Sequence, residues 1–238
     1  MTEPYPHARA ATAPDAPDAP VYRTVLFDCD GTLLDTLDDL AGAGNAVCAL
    51  NGWPSFTPDE YRHLVGNGQR VLVRRITPPA LRDDPATLSR AYDQFCDVYA
   101  RHGLDTTRPY PGIVETVGTL AANGVRLGVL TNKNADAAAR LVRRFFGDLL
   151  PVVQGRTDDM PAKPDPAMTS ALMARLGADP ASTLMVGDSD VDIACGVNAG
   201  IASCGVLWGF RDRRELEDAG ATHIAATTRD LVRIVLGR

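Results

Sequence analysis

Five short apolar runs set the rhythm of the chain: TVLF (24–27), VRLGVL (125–130), PVVQ (151–154), TLMVG (183–187) and ASCGVL (202–207). Each is short and rich in β-favouring residues, which predicts a strand. Between the later runs the apolar positions recur at helical spacing. Residues 113–123 place Ile113, Val114, Val117 and Leu120 on one face, with Gly124 as the stop. Residues 135–146 carry Leu141, Val142 and Phe145, and a third helix over 166–176 ends at Gly177. Glycine just past the last periodic residue is ordinary helix termination. Short strands alternating with helices predict an α/β fold: a doubly wound, Rossmann-like parallel sheet covered on both faces.

One segment breaks the rhythm. Between residues 37 and 107 the pattern predicts several helices and no strand. Residues 37–50 are amphipathic. TPDE (57–60) offers Thr57 as N-cap, Pro58 at the first helical position and Glu60 three residues after the cap, the arrangement of a capping box. Pro85 opens another helix, with Leu88, Ala91, Phe95 and Val98 at helical spacing and Gly103 as its stop. Roughly 70 helical residues after the first strand predict an inserted helical cap over 37–107, a size within the usual range for a domain. The α/β core then comprises 21–36 and 108–238, with hinges at 34–37 and 106–111.

Composition adds limits. The chain has 238 residues, 45% of them hydrophobic and 23% charged, with a net charge of −6. That is enough chain for a sizeable core. The acidic balance argues against nucleic-acid or anionic-membrane partners, while leaving room for one local cationic site. The five cysteines (Cys29, Cys48, Cys96, Cys195, Cys204) form no CxxC or zinc spacing and read as reduced, cytoplasmic thiols. No run of 18 apolar residues suggests a membrane span. Residues 1–20, rich in Ala and Pro with no apolar signal core, read as a disordered leader.

The candidate chemistry lies where strands should end, which is where open α/β sheets bind ligands. Asp28 and Asp30 follow the first run, Thr131 and Asn132 the second, and Asp188, Asp190 and Asp192 the fourth; Lys163 stands in a loop before a helix. Asp190 reads as the N-cap of the helix starting near Val191 and is left out of the site. Alone, each piece has an ordinary reading: a turn, a solvated lysine, a calcium loop lacking its closing glutamate. Together they have a chemistry. Crowded carboxylates need a cation, and all-oxygen ligands favour Mg²⁺ alongside substrate phosphate. A carboxylate can attack phosphorus to give an aspartyl-phosphate. A second carboxyl two residues on lies on the same side of an extended backbone and can move protons. A lysine and a threonine hydroxyl can hold phosphoryl oxygens.

DCDGTLLDT, LTNK, KPDP and GDSDVD, in this order, resemble the four motifs of the haloacid dehalogenase-like hydrolase superfamily, and the insertion after the first resembles its cap domain. The resemblance implies Asp28 as nucleophile, Asp30 as general acid and base, and Thr131 and Lys163 as phosphate binders. It implies Mg²⁺ held by Asp28, the Asp30 main-chain carbonyl and Asp188, with Asp192 in support. VGNGQRVLVRR in the cap, GVLTNK and DDMPAKPDP resemble the phosphoglycolate phosphatase branch. That implies 2-phosphoglycolate as substrate, met by Gly31, Asn132, Asn67, Gly68 and Arg70; the sequence leaves monomer and homodimer both open. A dehalogenase would need neither Asp30 nor Mg²⁺. Phosphatases of pyrophosphate, nucleotides or sugar phosphates, and phosphomutases, share the motifs and stay open.

Overall fold

The computed structural model describes residues 19–238; all but the last two residues of the expected leader lie outside the described residues. Six parallel strands form the main sheet in the order β5-β4-β1-β6-β7-β8. They are β1 (Thr24–Phe27), β4 (Arg126–Asn134), β5 (Val152–Arg156), β6 (Thr183–Gly187), β7 (Ala202–Val206) and β8 (His223–Ala225). All four residues of β1 are buried, as are all five of β6. A parallel sheet with helices on both faces has no solvent side, so its central strands read as continuous apolar runs.

The covering helices are α5 (Ile113–Ala122), α6 (Ala135–Phe146), α7 (Ala167–Leu176), α8 (Asp190–Asn198), α9 (Arg213–Asp218) and α10 (Thr228–Leu236). Gly177 closes α7 in the left-handed conformation, as its position suggested. One face of the sheet packs around Val25, Phe27, Val117 and Leu231, the other around Leu26, Met168, Leu172 and Met185. This alternation along β1 is the period of two that sends successive side chains to opposite faces.

Between β1 and β4 the chain leaves and returns through a two-stranded ribbon. β2 (Leu34–Asp35) pairs antiparallel with β3 (Arg108–Pro109). The intervening helices are α1 (Leu37–Asn51), α2 (Pro58–Leu64), α3 (Gln69–Ile76) and α4 (Pro85–His102). They bury their own core, with Leu40, Val47, Tyr61, Leu72, Ile76 and Phe95 at its centre. Thr57, Pro58 and Glu60 form the expected capping box. The buried face of α4 is Thr87, Ala91, Phe95 and Tyr99. Leu88 and Val98 flank it half-buried, because a spacing of four residues drifts slowly round a 3.6-residue turn. Just beyond the ribbon, the buried carboxylate of Asp39 on α1 accepts hydrogen bonds from the main-chain N–H groups and hydroxyls of Thr106 and Thr107, at 2.6–3.3 Å. No helix among the described residues is long and apolar enough to cross a membrane.

Candidate active site

Strand pairing continues one residue past β1. The Asp28 N–H donates to the Val186 carbonyl on β6 at 2.8 Å, which fixes Asp28 at the carboxyl edge of the sheet. Cys29 points back into the core, fully buried. The chain then turns tightly: the N–H groups of Leu33 and Leu34 both return to the Cys29 carbonyl, and the Gly31 N–H donates to the Leu34 carbonyl. Gly31 has φ +89°, and a β-carbon there would lie 2.3 Å from Asp188 Oδ2. Glycine at this position meets the backbone requirement and lets the turn press against the neighbouring carboxylate.

β6 delivers Asp188 beside Asp28. Its Oδ1 accepts from the Thr32 hydroxyl at 2.9 Å and its Oδ2 from the Phe210 N–H at 2.8 Å. α8 begins directly afterwards, and its cap differs from the expectation. Ser189, not Asp190, is the N-cap, with Asp192 as its reciprocal partner in a capping box; Asp190 is the exposed first helical residue. Ser189 takes the role because only a residue before the helix, in extended conformation, can turn its side chain back on the third N–H. The capping box draws the Asp192 carboxylate inward.

Lys163 links these groups. Its side chain is 1% exposed, and Nζ donates to Asp28 Oδ1 at 2.6 Å, Asp192 Oδ1 at 2.7 Å and the Leu130 carbonyl at 2.9 Å. All three ammonium protons are used. Burial opposes the lysine's charge, but Asp192 and Asp28 outweigh it and hold the pKa up. Asn132 clamps the main chain of Lys163 from both sides: its Oδ1 accepts from the Lys163 N–H at 2.8 Å and its Nδ2 donates to the Lys163 carbonyl at 3.2 Å. Its amide thus holds the lysine in place, while the residue also lines the small cavity between sheet and insertion.

Asp28, Asp188 and Asp192 are all buried, and one oxygen from each falls within 4.8 Å of the others. Against these three carboxylates stands one buried ammonium, a local charge of −3 + 1 = −2. Burial and this crowding act on Asp28 and Asp188. Burial pushes Asp28 up to about 7, with Asp192 and Asp30 adding to it against Lys163. Asp188 is raised well above an ordinary carboxylate, first by burial and then by Asp192 and Asp28. A hard divalent cation with oxygen ligands matches both the charge and the donor set. Asp192 Oδ2 already accepts two hydrogen bonds from Ser189 and its Oδ1 accepts from the Lys163 ammonium, whereas each Asp188 oxygen accepts one from a neutral donor, which suits Asp192 for support and Asp188 for direct ligation.

The carboxylate of Asp30 stands apart from this cluster. It pairs with Lys133 Nζ at 2.8 and 3.0 Å, and that ammonium lies 4.9 Å above the Tyr99 ring of α4. Lys133, the last residue of LTNK, has no assigned part in the sequence reading. The one signal that could have found it is a lysine inside a strand otherwise buried on both faces; β4 continues through it to Asn134, past the expected end at Leu130.

The helical insertion closes the site from above. A small cavity of about 30 Å³ is lined by Asp28, Asp30, Thr131 and Lys133 from the core and by Leu40, Val65, Leu72, Gly66, Gly68 and Gln69 from the insertion. Gly68 has φ +87°, and a β-carbon there would meet the Asn132 carbonyl at 3.0 Å. It is the N-cap of α3, whose end carries no side-chain cap, so main-chain N–H groups stay unpaired at the cavity wall. Asn67 does not line the cavity; its side-chain oxygen accepts from Arg75 at 2.8 Å. Arg70 does not either. Its guanidinium lies 4.0 Å from the Tyr92 ring centroid and borders a neighbouring cavity of about 280 Å³ with Arg156. Helix geometry explains the placement: Gln69 and Leu72, three apart, share the face of α3 toward the small cavity, and Arg70 is turned about 100° away toward α4.

The model of the haloacid dehalogenase-like hydrolase family matches residues 25–206. Phosphoglycolate phosphatase 1 of Pseudomonas aeruginosa is 34% identical over 224 residues, covering 88% of this chain and 78% of that protein. The phosphoglycolate phosphatase of Agrobacterium fabrum is 35% identical over 201 residues, covering 81% and 84%. A crystal structure of a protein from Lactobacillus delbrueckii subsp. bulgaricus is similar with a TM-score of 0.86 at 30% identity, covering 91% of this chain and 99% of that one. A match that begins one residue into β1 and ends with β7 takes in every strand that carries the site, and the chain belongs to the haloacid dehalogenase-like hydrolases.

Proposed function

We propose that this protein is a Mg²⁺-dependent phosphatase of small phosphate monoesters, with 2-phosphoglycolate as its substrate, working in the reducing cytoplasm that its five free thiols suit. The observation that carries the reaction is the buried set of Asp28, Asp188, Asp192 and Lys163, one cation short of balance by two charges.

A carboxylate oxygen of Asp28 attacks phosphorus, and the bond from phosphorus to the ester oxygen breaks. Asp30 gives its proton to the departing alkoxide. It then takes a proton from the water that attacks the aspartyl-phosphate, which releases phosphate and restores Asp28. The Thr131 hydroxyl holds a phosphoryl oxygen, and Lys163, which in the free site gives one ammonium proton to Asp28 Oδ1, turns that proton to a phosphoryl oxygen as Asp28 bonds to phosphorus. Lys133 holds the Asp30 carboxylate in place by two hydrogen bonds. Asp28, the Asp30 main-chain carbonyl and Asp188 would hold Mg²⁺, with Asp192 steadying Lys163 beside them; the bound ion offsets the carboxylate charge and the charge on the phosphoryl group.

The substrate assignment rests on the relatives named above. The unpaired N–H groups at the start of α3 offer the substrate's carboxylate a receptive wall. Phosphate release from 2-phosphoglycolate, a hexose phosphate and p-nitrophenyl phosphate tests it. We expect the highest kcat/KM for 2-phosphoglycolate; a preference for the hexose phosphate would remove the substrate assignment and leave the phosphatase reading. Arg70→Ala should change phosphoglycolate and p-nitrophenyl phosphate by the same small factor, because Arg70 borders a different cavity.

The metal reading has its own test. Asp28 has a folded-state pKa of about 7, above its ordinary 3.8. The unfolded chain therefore releases that proton first, so without metal the protein loses stability as pH rises from about 4 through 7. Asp188, raised by the same burial, acts in the same direction. Mg²⁺ should raise Tm more at pH 8 than at pH 5.5, read by thermal unfolding with and without EDTA. An increment that is independent of pH would count against this site for the ion.

A further inference from the structure

The loop that leaves β7, residues 207–212, touches both halves of the site. On its core side, the Trp208 indole N–H donates to the Thr32 carbonyl at 3.0 Å, and Thr32 in turn donates to Asp188. The Phe210 N–H donates to the other oxygen of Asp188 at 2.8 Å. Gly209 lies so close that a β-carbon would sit 2.3 Å from Asp188 Cβ. On its other side, the Phe210 ring is 6% exposed and belongs to the core of the helical insertion, though the residue itself belongs to the sheet domain.

Arg211 completes the connection. It is buried, and its guanidinium donates to the carbonyls of Arg62 and Val65 at the carboxyl end of α2, the latter at 3.1 Å. Arg62 returns a hydrogen bond to the Gly209 carbonyl at 3.1 Å. Val65 lines the catalytic cavity and precedes the turn that carries Gly66 and Gly68. A cation on the last carbonyls of a helix also has the favourable sense for the helix dipole.

We propose that Phe210 and Arg211 are positioning residues that couple the seating of the helical insertion to the orientation of Asp188, and so to affinity for the divalent cation. This rests on the reading of Asp188 as a metal-binding carboxylate. Two consecutive residues hold the wall of the substrate cavity and a carboxylate of the ion site, with only one main-chain step between them. A displacement of the insertion therefore moves the donor on Asp188. Partners that orient a ligand in this way typically change metal affinity by 10- to 100-fold when lost.

The test is the Mg²⁺-dependent rise in thermal midpoint of the full-length protein, which yields an apparent Kd without reference to activity. Arg211→Ala should weaken that Kd by at least about fivefold, the low end of typical coupling between sites. Arg211→Lys, with a single ammonium in place of the planar fork, should fall between Ala and wild type. Arg62→Ala, at a half-exposed position that leaves Arg211 in place, should shift Kd in the same direction by a smaller factor. Variants with a lower midpoint in EDTA but an unchanged Mg²⁺ Kd would show a merely structural role and overturn the proposal. A wild type that binds no Mg²⁺ would remove the metal reading and the coupling together, whereas wild-type binding with unaltered variants removes the coupling alone.

Discussion

Asp28→Asn should leave the fold standing and abolish turnover on every phosphate ester. The substitution keeps size and shape, and Lys163 retains Asp192 and the Leu130 carbonyl as partners. An amide is no nucleophile toward phosphorus, so the first covalent step fails. The loss of kcat should be on the order of 10⁴ or more, as for other enzymes stripped of their nucleophile. The same variant carries a stability signature. In the metal-free wild type, Asp28 above pH 7 is a buried carboxylate held ionised against its surroundings. Asparagine carries no such charge, so in EDTA the variant's Tm at pH 8 should equal or exceed that of the wild type, and the difference should shrink toward pH 5. Beryllofluoride, which mimics a phosphoryl group on a carboxylate, should bind the wild type and not the variant. Turnover within tenfold of wild type would end the nucleophile assignment.

Asp30→Asn should be nearly as damaging and should discriminate between substrates. Proton transfer by a positioned acid contributes about 10²- to 10⁴-fold. An alkyl phosphate needs that proton as its bond to phosphorus breaks. p-Nitrophenolate leaves readily without it. In single-turnover experiments the variant should therefore lose far more on 2-phosphoglycolate than on p-nitrophenyl phosphate. Equal losses would mean that Asp30 acts by some means other than donation to the leaving group. Lys133, whose ammonium grips both Asp30 oxygens, remains in the variant with one anionic partner fewer.

The central sheet and most of its helices were legible because their apolar patterns are simple. β1 and β6 match the runs TVLF and TLMVG residue for residue, and α6 matches its predicted span. The pattern faded where polar side chains are buried. β4 was cut at Leu130, since Thr131, Asn132 and Lys133 look like a turn until their partners across the fold are known. The region after residue 207 carries α9, β8 and α10, of which the three-residue β8 is only partly buried. Asp28 and Asp188 lay open because each sits directly beyond a short apolar strand. Arg70 and Asn67 were harder. Adjacent residues on a helix point in different directions, and no pattern in the sequence told Gln69 from Arg70 at the start of α3. The loop at Phe210 and Arg211 gave no signal either, for its meaning lies in contacts to Asp188 and to α2, 22 and 146–149 residues away.

The ribbon of β2 and β3 makes the whole helical insertion, topologically, the loop of a two-residue hairpin. The chain therefore crosses between sheet and insertion at one narrow seam, stitched again by Asp39 to Thr106 and Thr107, while Phe210 and Arg211 bind the two parts across the site. The entropic cost of closing a loop grows only with the logarithm of its length, about 0.6 kcal/mol for each doubling. What hangs from the seam can thus change in length at little entropic cost, so long as it keeps its contacts to Phe210 and Arg211. The chemistry at the strand ends and the choice of what reaches it are held by separate parts of one chain, joined like a handle to a blade.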